Sequence, residues 1–243
     1  MASCVTVLPL FMGMMLFASS SLVSAANVDF LYLVLMWPGS YCSQSVCCRP
    51  TTGMPAEDFF IRGLWTYNEA GKPVTRCTRE PYNPTEIEGL EPELYEYWSS
   101  IKCPSNDGSL YWKKAWKTYG TCTGMYQPTY FETALDLRAQ VDLLTALANK
   151  GITPSETRKY SIESIEKAIE EATKATPVIR CNKEGQLYEI YVCFDKLGGS
   201  AIECPVRPYF SCPNEIIIPP FTDNMLKIDA YPSINATPSV SVQ

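Results

Sequence analysis

The chain has 243 residues, of which 46% are hydrophobic and 12% aromatic, which is enough apolar material for one sizeable core. Its formal net charge of −6 repels polyanions at long range, so bulk charge disfavours non-specific nucleic-acid binding. The sequence contains no histidine, which excludes Ser–His and Cys–His nucleophile pairs and every zinc site that needs an imidazole.

The first 25 residues carry no charged side chain and include an apolar run over residues 5–17. Short side chains at Val23 and Ala25 predict a signal peptide, residues 1–25, with cleavage after Ala26 as a close alternative. An uncleaved membrane anchor is the competing interpretation, which the short apolar run disfavours. We therefore expect a secreted protein in the apoplast, with the vacuole as the alternative, and no membrane attachment after signal cleavage.

Strands and helices are mixed along the next part of the chain. The run Phe30–Met36 (FLYLVLM), closed by Pro38 and Gly39, predicts a fully buried strand, and residues 58–65 predict a second strand. Apolar residues at helical spacing predict helices over residues 84–98, 109–119 and 128–150.

The remaining segments complete one domain. Residues 161–174 predict a helix capped by Ser161, and residues 187–194 predict a strand that forms a hairpin with residues 201–204. Because helices and strands do not alternate strictly, the pattern predicts an α+β domain over residues 26–221. The segment 222–243 is rich in proline, serine and threonine and predicts a disordered tail.

Eleven cysteines are present, and Cys4 lies in the predicted signal peptide. The ten others, an even number in a chain bound for an oxidising compartment, predict five disulfides. A metal site on Cys47 and Cys48 is the alternative, which the lack of CxxC pairs and of histidine disfavours, so we expect no metal and no cofactor. Asn235, in the sequon Asn-Ala-Thr, is the predicted glycosylation site.

Three segments resemble motifs of one enzyme family. Residues 30–42 (FLYLVLMWPGSYC) resemble F-Y-x-x-x-Q-W-P-G-S-Y-C, residues 59–65 (FFIRGLW) resemble F-x-I-H-G-L-W-P, and residues 111–122 (YWKKAWKTYGTC) resemble F-W-x-H-E-W-x-K-H-G-x-C. These are motifs of the ribonuclease T2 family, and the chain looks most like its plant S-like members over residues 28–221. The resemblance implies a central antiparallel sheet packed with helices. It also implies the disulfides Cys42–Cys47, Cys48–Cys103, Cys77–Cys122, Cys181–Cys212 and Cys193–Cys204.

The chain departs from the family at the positions that carry the chemistry. In the family, the ribose 2′-hydroxyl attacks the neighbouring phosphate, which requires a general base, a general acid and cations. The histidine of the first active-site motif is Arg62 here, and the His, Glu, Lys and His of the second are Lys114, Ala115, Thr118 and Tyr119. Arginine stays protonated, and lysine and tyrosine have ordinary pKa values of about 10, so none is suited to proton transfer at neutral pH. The resemblance therefore implies a member without catalytic residues and without efficient RNA cleavage.

The replaced positions still allow a binding cleft. If the fold is kept, the second-motif helix faces Arg62, and a cationic pocket could hold a phosphate or RNA without cutting it. The candidate binding residues are Arg62, Trp65, Trp112, Lys113, Lys114, Lys117 and Tyr119. The competing interpretation, which we favour, is that the lysines form a solvated face, Arg62 pairs with a nearby carboxylate such as Glu57 or Asp58, and the tryptophans belong to the core.

Three functions follow from these patterns. The leading hypothesis is a secreted, non-catalytic member with a non-enzymatic role in storage, stress or defence. The second is an endoribonuclease that forms 2′,3′-cyclic phosphates with an unusual Lys/Tyr proton system, and the third is an RNA- or nucleotide-binding module without turnover. We expect a monomer whose partners are RNA or nucleotides, bound weakly.

Overall fold

A computed structural model describes residues 27–228 of the protein. The predicted signal peptide and the predicted glycosylation site Asn235 lie outside these residues. Within the described range, no helix combines the length and the apolar character needed to cross a bilayer.

The described residues form strands and helices in mixed order. In sequence they are β1 (Phe30–Met36), α1 (Pro38–Cys42), β2 (Cys47–Cys48), β3 (Phe60–Tyr67), a 3-10 helix (Pro84–Leu90), α2 (Glu91–Tyr97), α3 (Ser109–Ala115), a π-helix (Trp116–Gly120), α4 (Thr121–Thr123), α5 (Gln127–Val141), α6 (Leu143–Ala148), β4 (Lys159–Ser161), α7 (Ile162–Thr173), β5 (Val178–Cys181), β6 (Leu187–Asp195), β7 (Ala201–Ile202), β8 (Glu215–Ile217), a second 3-10 helix (Asp223–Met225) and β9 (Leu226–Lys227).

A central antiparallel sheet organises the fold, with the strand order β3-β1-β6-β5 and with β7 paired to β6. All of β1 is buried, because both faces of the sheet are covered. Leu33 and the residues two positions before and after it point to one face of the sheet and pack into the main core with α5 and α7. Tyr32 and Val34 point to the other face and pack into a smaller cluster with Tyr191. The predicted α+β class is confirmed.

Two positions in the motifs require glycine, because a tryptophan ring lies too close to the backbone to leave room for a side chain. Gly63 lies beneath the indole of Trp65, and a Cβ at this position would collide with the indole Nε1. Gly120 lies in the same way against the ring of Trp116. The spacings Gly-x-Trp and Trp-x-x-x-Gly in the motifs are therefore packing requirements that fix the position of Trp65 and the end of the second-motif helix.

Three predicted helices are interrupted. The segment 84–98 begins as a 3-10 helix and becomes α-helical only at Glu91. The helix predicted over 128–150 is two helices, because Asp142 adopts a left-handed conformation (φ 36°) between α5 and α6 and its side chain accepts a hydrogen bond from the Thr145 N–H. The second-motif helix changes from α to π geometry at Trp116, which shifts the phase of the residues that follow.

The ordered chain continues past the predicted domain boundary at residue 221. A 3-10 helix, Asp223–Met225, leads into β9, which pairs in parallel with β2. Leu226 is buried, and Asp223 forms an ion pair with Arg49. Residues 222–227, which the sequence placed in the predicted disordered tail, therefore pack onto the fold through a strand pairing, a buried leucine and an ion pair, and residues 229–243 of that tail lie outside the described residues.

Five disulfides tie the loops to this core. They are Cys42–Cys47, Cys48–Cys103, Cys77–Cys122, Cys181–Cys212 and Cys193–Cys204, the pairing that the family resemblance implies. Cys77–Cys122 joins the loop after β3 to helix α4, directly after the π-helix. In the same region the backbone N–H of Arg76 donates to the carbonyl of Thr118 at 2.9 Å. The second-motif helix is therefore fixed to the loop after β3 by a covalent bond and a hydrogen bond.

Candidate functional site

Arg62 belongs to a charged network built on one buried carboxylate. Glu189 has a side chain that is only 3% exposed, and its two oxygens face two different arginines. Arg62 Nε lies 3.4 Å from Oε1, and an Nη of Arg180 lies 2.9 Å from Oε2. The hydroxyl of Tyr191 also donates to Oε2, at 2.9 Å. This arrangement satisfies a carboxylate that would be costly to bury alone.

Strand register brings these residues together. Arg180 on β5 lies directly opposite Glu189 on β6. Arg62 is the extra residue of a β-bulge, since Ile61 pairs with Leu35 and Gly63 pairs with Val34. A bulge re-aims the side chain of its extra residue, and here the Arg62 side chain reaches across β1 to Glu189.

Arg62 pairs with a carboxylate, but with Glu189 rather than with Glu57 or Asp58, the nearby examples that the sequence offered. Asp58 instead accepts a hydrogen bond of 2.5 Å from Arg138, whose Nε also donates to the carbonyl of Phe59. Glu57 forms no ion pair with any residue of the described range. The bulge explains the difference, because it turns Arg62 toward β6 rather than toward the residues that precede β3.

The network keeps one net positive charge that ligands can reach. Two guanidinium groups share one carboxylate, and the side chains of Arg62 and Arg180 are 41% and 44% exposed. Each guanidinium has five N–H donors, so both retain donors after binding Glu189. Arg180 also lies over the rings of Tyr188 and Phe210, 5.5 and 5.3 Å from their centroids. These contacts hold the guanidinium in place, and phosphate groups are the anions that such arginines bind best.

Trp65 and Tyr119 connect the sheet to the second-motif helix. Their rings stack with centroids 5.7 Å apart and an interplanar angle of 22°, and Trp65 also meets Tyr191 edge-on. Burial raises the pKa of the Tyr119 hydroxyl, with a smaller contribution from Tyr67. The structure therefore brings Trp65 and Tyr119 together beside the Glu189 network, and the raised pKa moves Tyr119 further from proton transfer at neutral pH.

The other predicted binding residues are not all in the cleft. Trp112 is buried in the core, and its indole N–H donates to the carbonyl of Trp98 at 3.0 Å, so it presents no surface to a ligand. Lys113, Lys114 and Lys117 are exposed, and none of them forms an ion pair with the described residues. All three lysine side chains therefore lie open to solvent.

The two second-motif positions that are Glu and Lys in the family also lack catalytic side chains here. Ala115 is buried, and Thr118 is half-buried with its carbonyl engaged by the Arg76 N–H. Neither side chain carries a charge or a titratable group.

A small cavity adjoins Arg62 on the side of β1 and the loop after α2. Its volume is about 180 Å³, and its lining includes Met36, Tyr41, Ser100 and Tyr111. Drug-sized ligands occupy sites of roughly 300–1,000 Å³, so this cavity is suited to a single ring system. The hydroxyl of Ser100 is buried and has no hydrogen-bond partner among the described residues, so it is free to pair with a polar edge of such a ring.

Glu189 and Arg180 are the site residues that sequence reasoning missed. A glutamate in the near-continuous apolar run LYEIYVCF indicates a buried charge with a cationic partner elsewhere in the chain, because a buried charge requires a partner. Arg180 lies in β5, a strand that the sequence pattern did not predict. The pairing of strands β5 and β6 was needed to connect the two residues.

Known proteins match this chain over most of its length. The sequence model of the Ribonuclease T2 family matches residues 28–204. Intracellular ribonuclease LX of Solanum lycopersicum is 41% identical over 209 residues, which cover 83% of this chain and 88% of that protein. Extracellular ribonuclease LE of the same species is 41% identical over 211 residues, which cover 83% and 91%. The crystal structure of RNase NT in complex with 5′-AMP superposes with a TM-score of 0.77 at 42% identity and covers 80% of this chain and 100% of that one.

Proposed function

Because the chain belongs to the ribonuclease T2 family, we propose that it retains a nucleotide-binding cleft and has lost efficient RNA cleavage. The observation that carries the proposal is the replacement of the acid–base groups. Arg62 stands at the first-motif histidine position and is committed to Glu189, and no histidine occurs anywhere in the chain. Each missing general acid or base removes about 10²–10⁴-fold of rate.

Nucleotide binding is supported by the groups that remain. The Glu189 network supplies guanidinium donors for a phosphate, and the cavity lined by Tyr41, Ser100 and Tyr111 supplies room for a base next to Arg62. The similarity to RNase NT, whose crystal structure contains 5′-AMP, agrees with this assignment. A non-enzymatic role in storage, stress or defence fits a secreted, disulfide-bonded protein that binds nucleotides without turnover.

The alternative activity is RNA cleavage by a Lys/Tyr proton system. The raised pKa of Tyr119 counts against it, since a base at neutral pH needs a lowered pKa. Lys114 is exposed and forms no ion pair with the described residues, so nothing among them holds its amine in position for proton transfer. The reaction requires both a general base and a general acid, and this pair of side chains does not supply both.

A cleavage assay tests the loss of activity. Homogeneous secreted protein is incubated with RNA, and the release of 2′,3′-cyclic ends is measured against protein dose. We expect no dose-dependent release. Robust release that disappears in Lys114→Ala or Tyr119→Phe would establish the Lys/Tyr mechanism and refute the proposal.

A calorimetric titration with 5′-AMP tests the binding cleft. Arg62→Ala leaves Glu189 paired with Arg180, so the variant keeps its fold while it loses one phosphate donor. We expect its affinity to fall about tenfold or more, the usual effect of losing a charge-assisted pair. Arg79→Ala, at an exposed residue without side-chain partners in the described range, is the matched control and should bind as the parent does. Equal affinities for the parent and Arg62→Ala, or no binding at all, would refute the cleft.

A further inference from the structure

A second cavity, which shares no lining residue with the one beside Arg62, lies between the end of α6, strand β4 and helix α7. Its volume is about 460 Å³, within the roughly 300–1,000 Å³ typical of small-molecule sites. Its lining includes Lys150, Arg158, Lys159 and Lys167, and Glu171 is the one carboxylate that this lining contains among the described residues. Four cations thus face one anion, in a chain whose formal net charge is −6.

Two of these cations are held in fixed positions. Lys150 Nζ lies 2.5 Å from a carboxylate oxygen of Glu171. The Arg158 guanidinium lies 5.0 Å from the centroid of the Tyr160 ring. That ring is itself anchored, because its hydroxyl donates to the Thr153 carbonyl at 2.8 Å and accepts from the Thr153 N–H at 3.0 Å. Preorganised donors lose less entropy when they bind a ligand.

The other two cations, like Arg158, have no carboxylate partner among the described residues. Lys159 alternates with the buried Tyr160 along β4, so the pairing of β4 with β8 places its side chain on the solvent side. Lys159 and Lys167 form no ion pair with a carboxylate of the described range. The pKa of Glu171 is lowered by its hydrogen bond from Lys150 and further by Lys167 and Lys174, which agrees with a positive local field.

We propose that this cavity binds a small polyanion that carries two or more phosphate groups. The cations come from the turn after α6, from β4 and the residue before it, and from α7, so they suit several anionic groups better than one. A flexible lysine provides a point charge and the arginine provides directed donors, and both are usual phosphate ligands. Neither the cleft chemistry nor the family motifs involve these residues.

The test is a calorimetric titration of the full secreted protein with inorganic pyrophosphate at low ionic strength. We expect the double charge reversal Lys159→Glu/Lys167→Glu to weaken binding about tenfold or more, because it removes two of the three lining cations that have no carboxylate partner. The control Lys72→Glu/Lys196→Glu makes the same change of net charge at exposed lysines without side-chain partners in the described range. It should bind within about twofold of the parent.

Two further arms separate this site from the nucleotide cleft and define the ligand class. Arg62→Ala, which removes a phosphate donor of the cleft, should retain the pyrophosphate binding that the double variant removes, and inorganic phosphate should bind at this cavity about tenfold more weakly than pyrophosphate. The proposal is overturned if the parent does not bind pyrophosphate, or if the control variant loses as much affinity as the double variant. It is also overturned if Arg62→Ala abolishes binding while the double variant retains it, or if phosphate and pyrophosphate bind equally.

Discussion

Glu189 is a charged residue in an apolar strand, and its burial depends on the two arginines that reach it. We predict that Glu189→Gln lowers the free energy of unfolding by about 1–2 kcal/mol, less than for a fully buried pair because both arginines are half-exposed. Urea denaturation measures the change. Glu184→Gln, at an exposed position just before β6, should stay within about 0.5 kcal/mol of the parent. A neutral result for Glu189→Gln would show that the network does not need the carboxylate charge.

The loss of proton-transfer groups predicts that they can be restored. The variant Arg62→His, Lys114→His, Ala115→Glu, Thr118→Lys and Tyr119→His carries the family's residues at all five positions. We expect it to release 2′,3′-cyclic ends at least about 10²-fold faster than the parent, the contribution of one acid or base. The same variant with Arg62 retained is the control and should lose most of that gain. A folded but inactive five-residue variant would contradict the assignment of these positions.

The residue-scale chemistry was only partly visible in the sequence. The five replaced positions followed from motif alignment alone, because each motif is a contiguous string. The partner of Arg62 did not, because Glu189 lies on a strand that is distant in sequence and the bulge that directs Arg62 toward it depends on the pairing of β1 with β3. Stacking of Trp65 on Tyr119 was consistent with the predicted cleft, whereas burial of Trp112 required knowledge of its contact with Trp98.

At the scale of elements, the start of the second-motif helix depends on Asp107. Its carboxylate accepts hydrogen bonds from the Ser109 N–H at 2.9 Å and the Ser109 hydroxyl at 2.6 Å. The hydroxyl bond is the main reason that the pKa of Asp107 is lowered from its usual 3.8. Asp107 closes an Asx turn just before the helix, whose N-cap residue is Gly108, and we predict that Asp107→Ala lowers the free energy of unfolding by about 0.5–1 kcal/mol at pH 7, the usual contribution of one hydrogen-bonded side chain.

The effect of Asp107→Ala should depend on pH with a defined sign. A carboxylate with a lowered folded-state pKa contributes its full stability above its unfolded pKa of about 3.9 and loses it as the pH falls through the folded value. The difference between variant and parent should therefore be constant from about pH 5 to 8 and shrink below about pH 4. Asp136→Ala, at an exposed site on α5, is the control and should show no such trend. A difference that grows on acidification would contradict this role of the Asx turn.

Periodicity predicted the elements better than their interruptions. The apolar run of β1 and the spacing of α7 gave bounds close to the observed ones, and Ser161 caps α7 as predicted, by accepting from the Ser164 N–H. The break at Asp142 was not predicted, since nothing in the local pattern opposes a continuous helix until the left-handed residue is seen. Short strands such as β4 and β8 exist because they pair with each other, and their sequences alone carry too few residues to show a period.

At the scale of the whole molecule, the negative net charge limits how RNA can bind. We predict that the affinity for a single-stranded trinucleotide falls with salt with a logarithmic slope no steeper than about −1.4, corresponding to two phosphate contacts at about −0.7 each. Fluorescence anisotropy at several salt concentrations measures the slope. The Lys72→Glu/Lys196→Glu variant, altered outside the cleft, should give the same slope. A much steeper slope would mean an extended basic surface, contrary to a cleft with one net positive charge.

The antiparallel pairing of β1 with β6, in which Phe30 lies opposite Asp195, has a consequence for biogenesis. While the protein is being synthesised, β1 leaves the ribosome long before its central neighbour exists, and only β3 can cover one of its edges. Its seven apolar residues form the kind of segment that aggregates when it is left unpaired. Contacts this distant in sequence also form slowly. The strand therefore stays exposed to aggregation until β6 has been synthesised, so covering it during that time should raise the yield of folded protein.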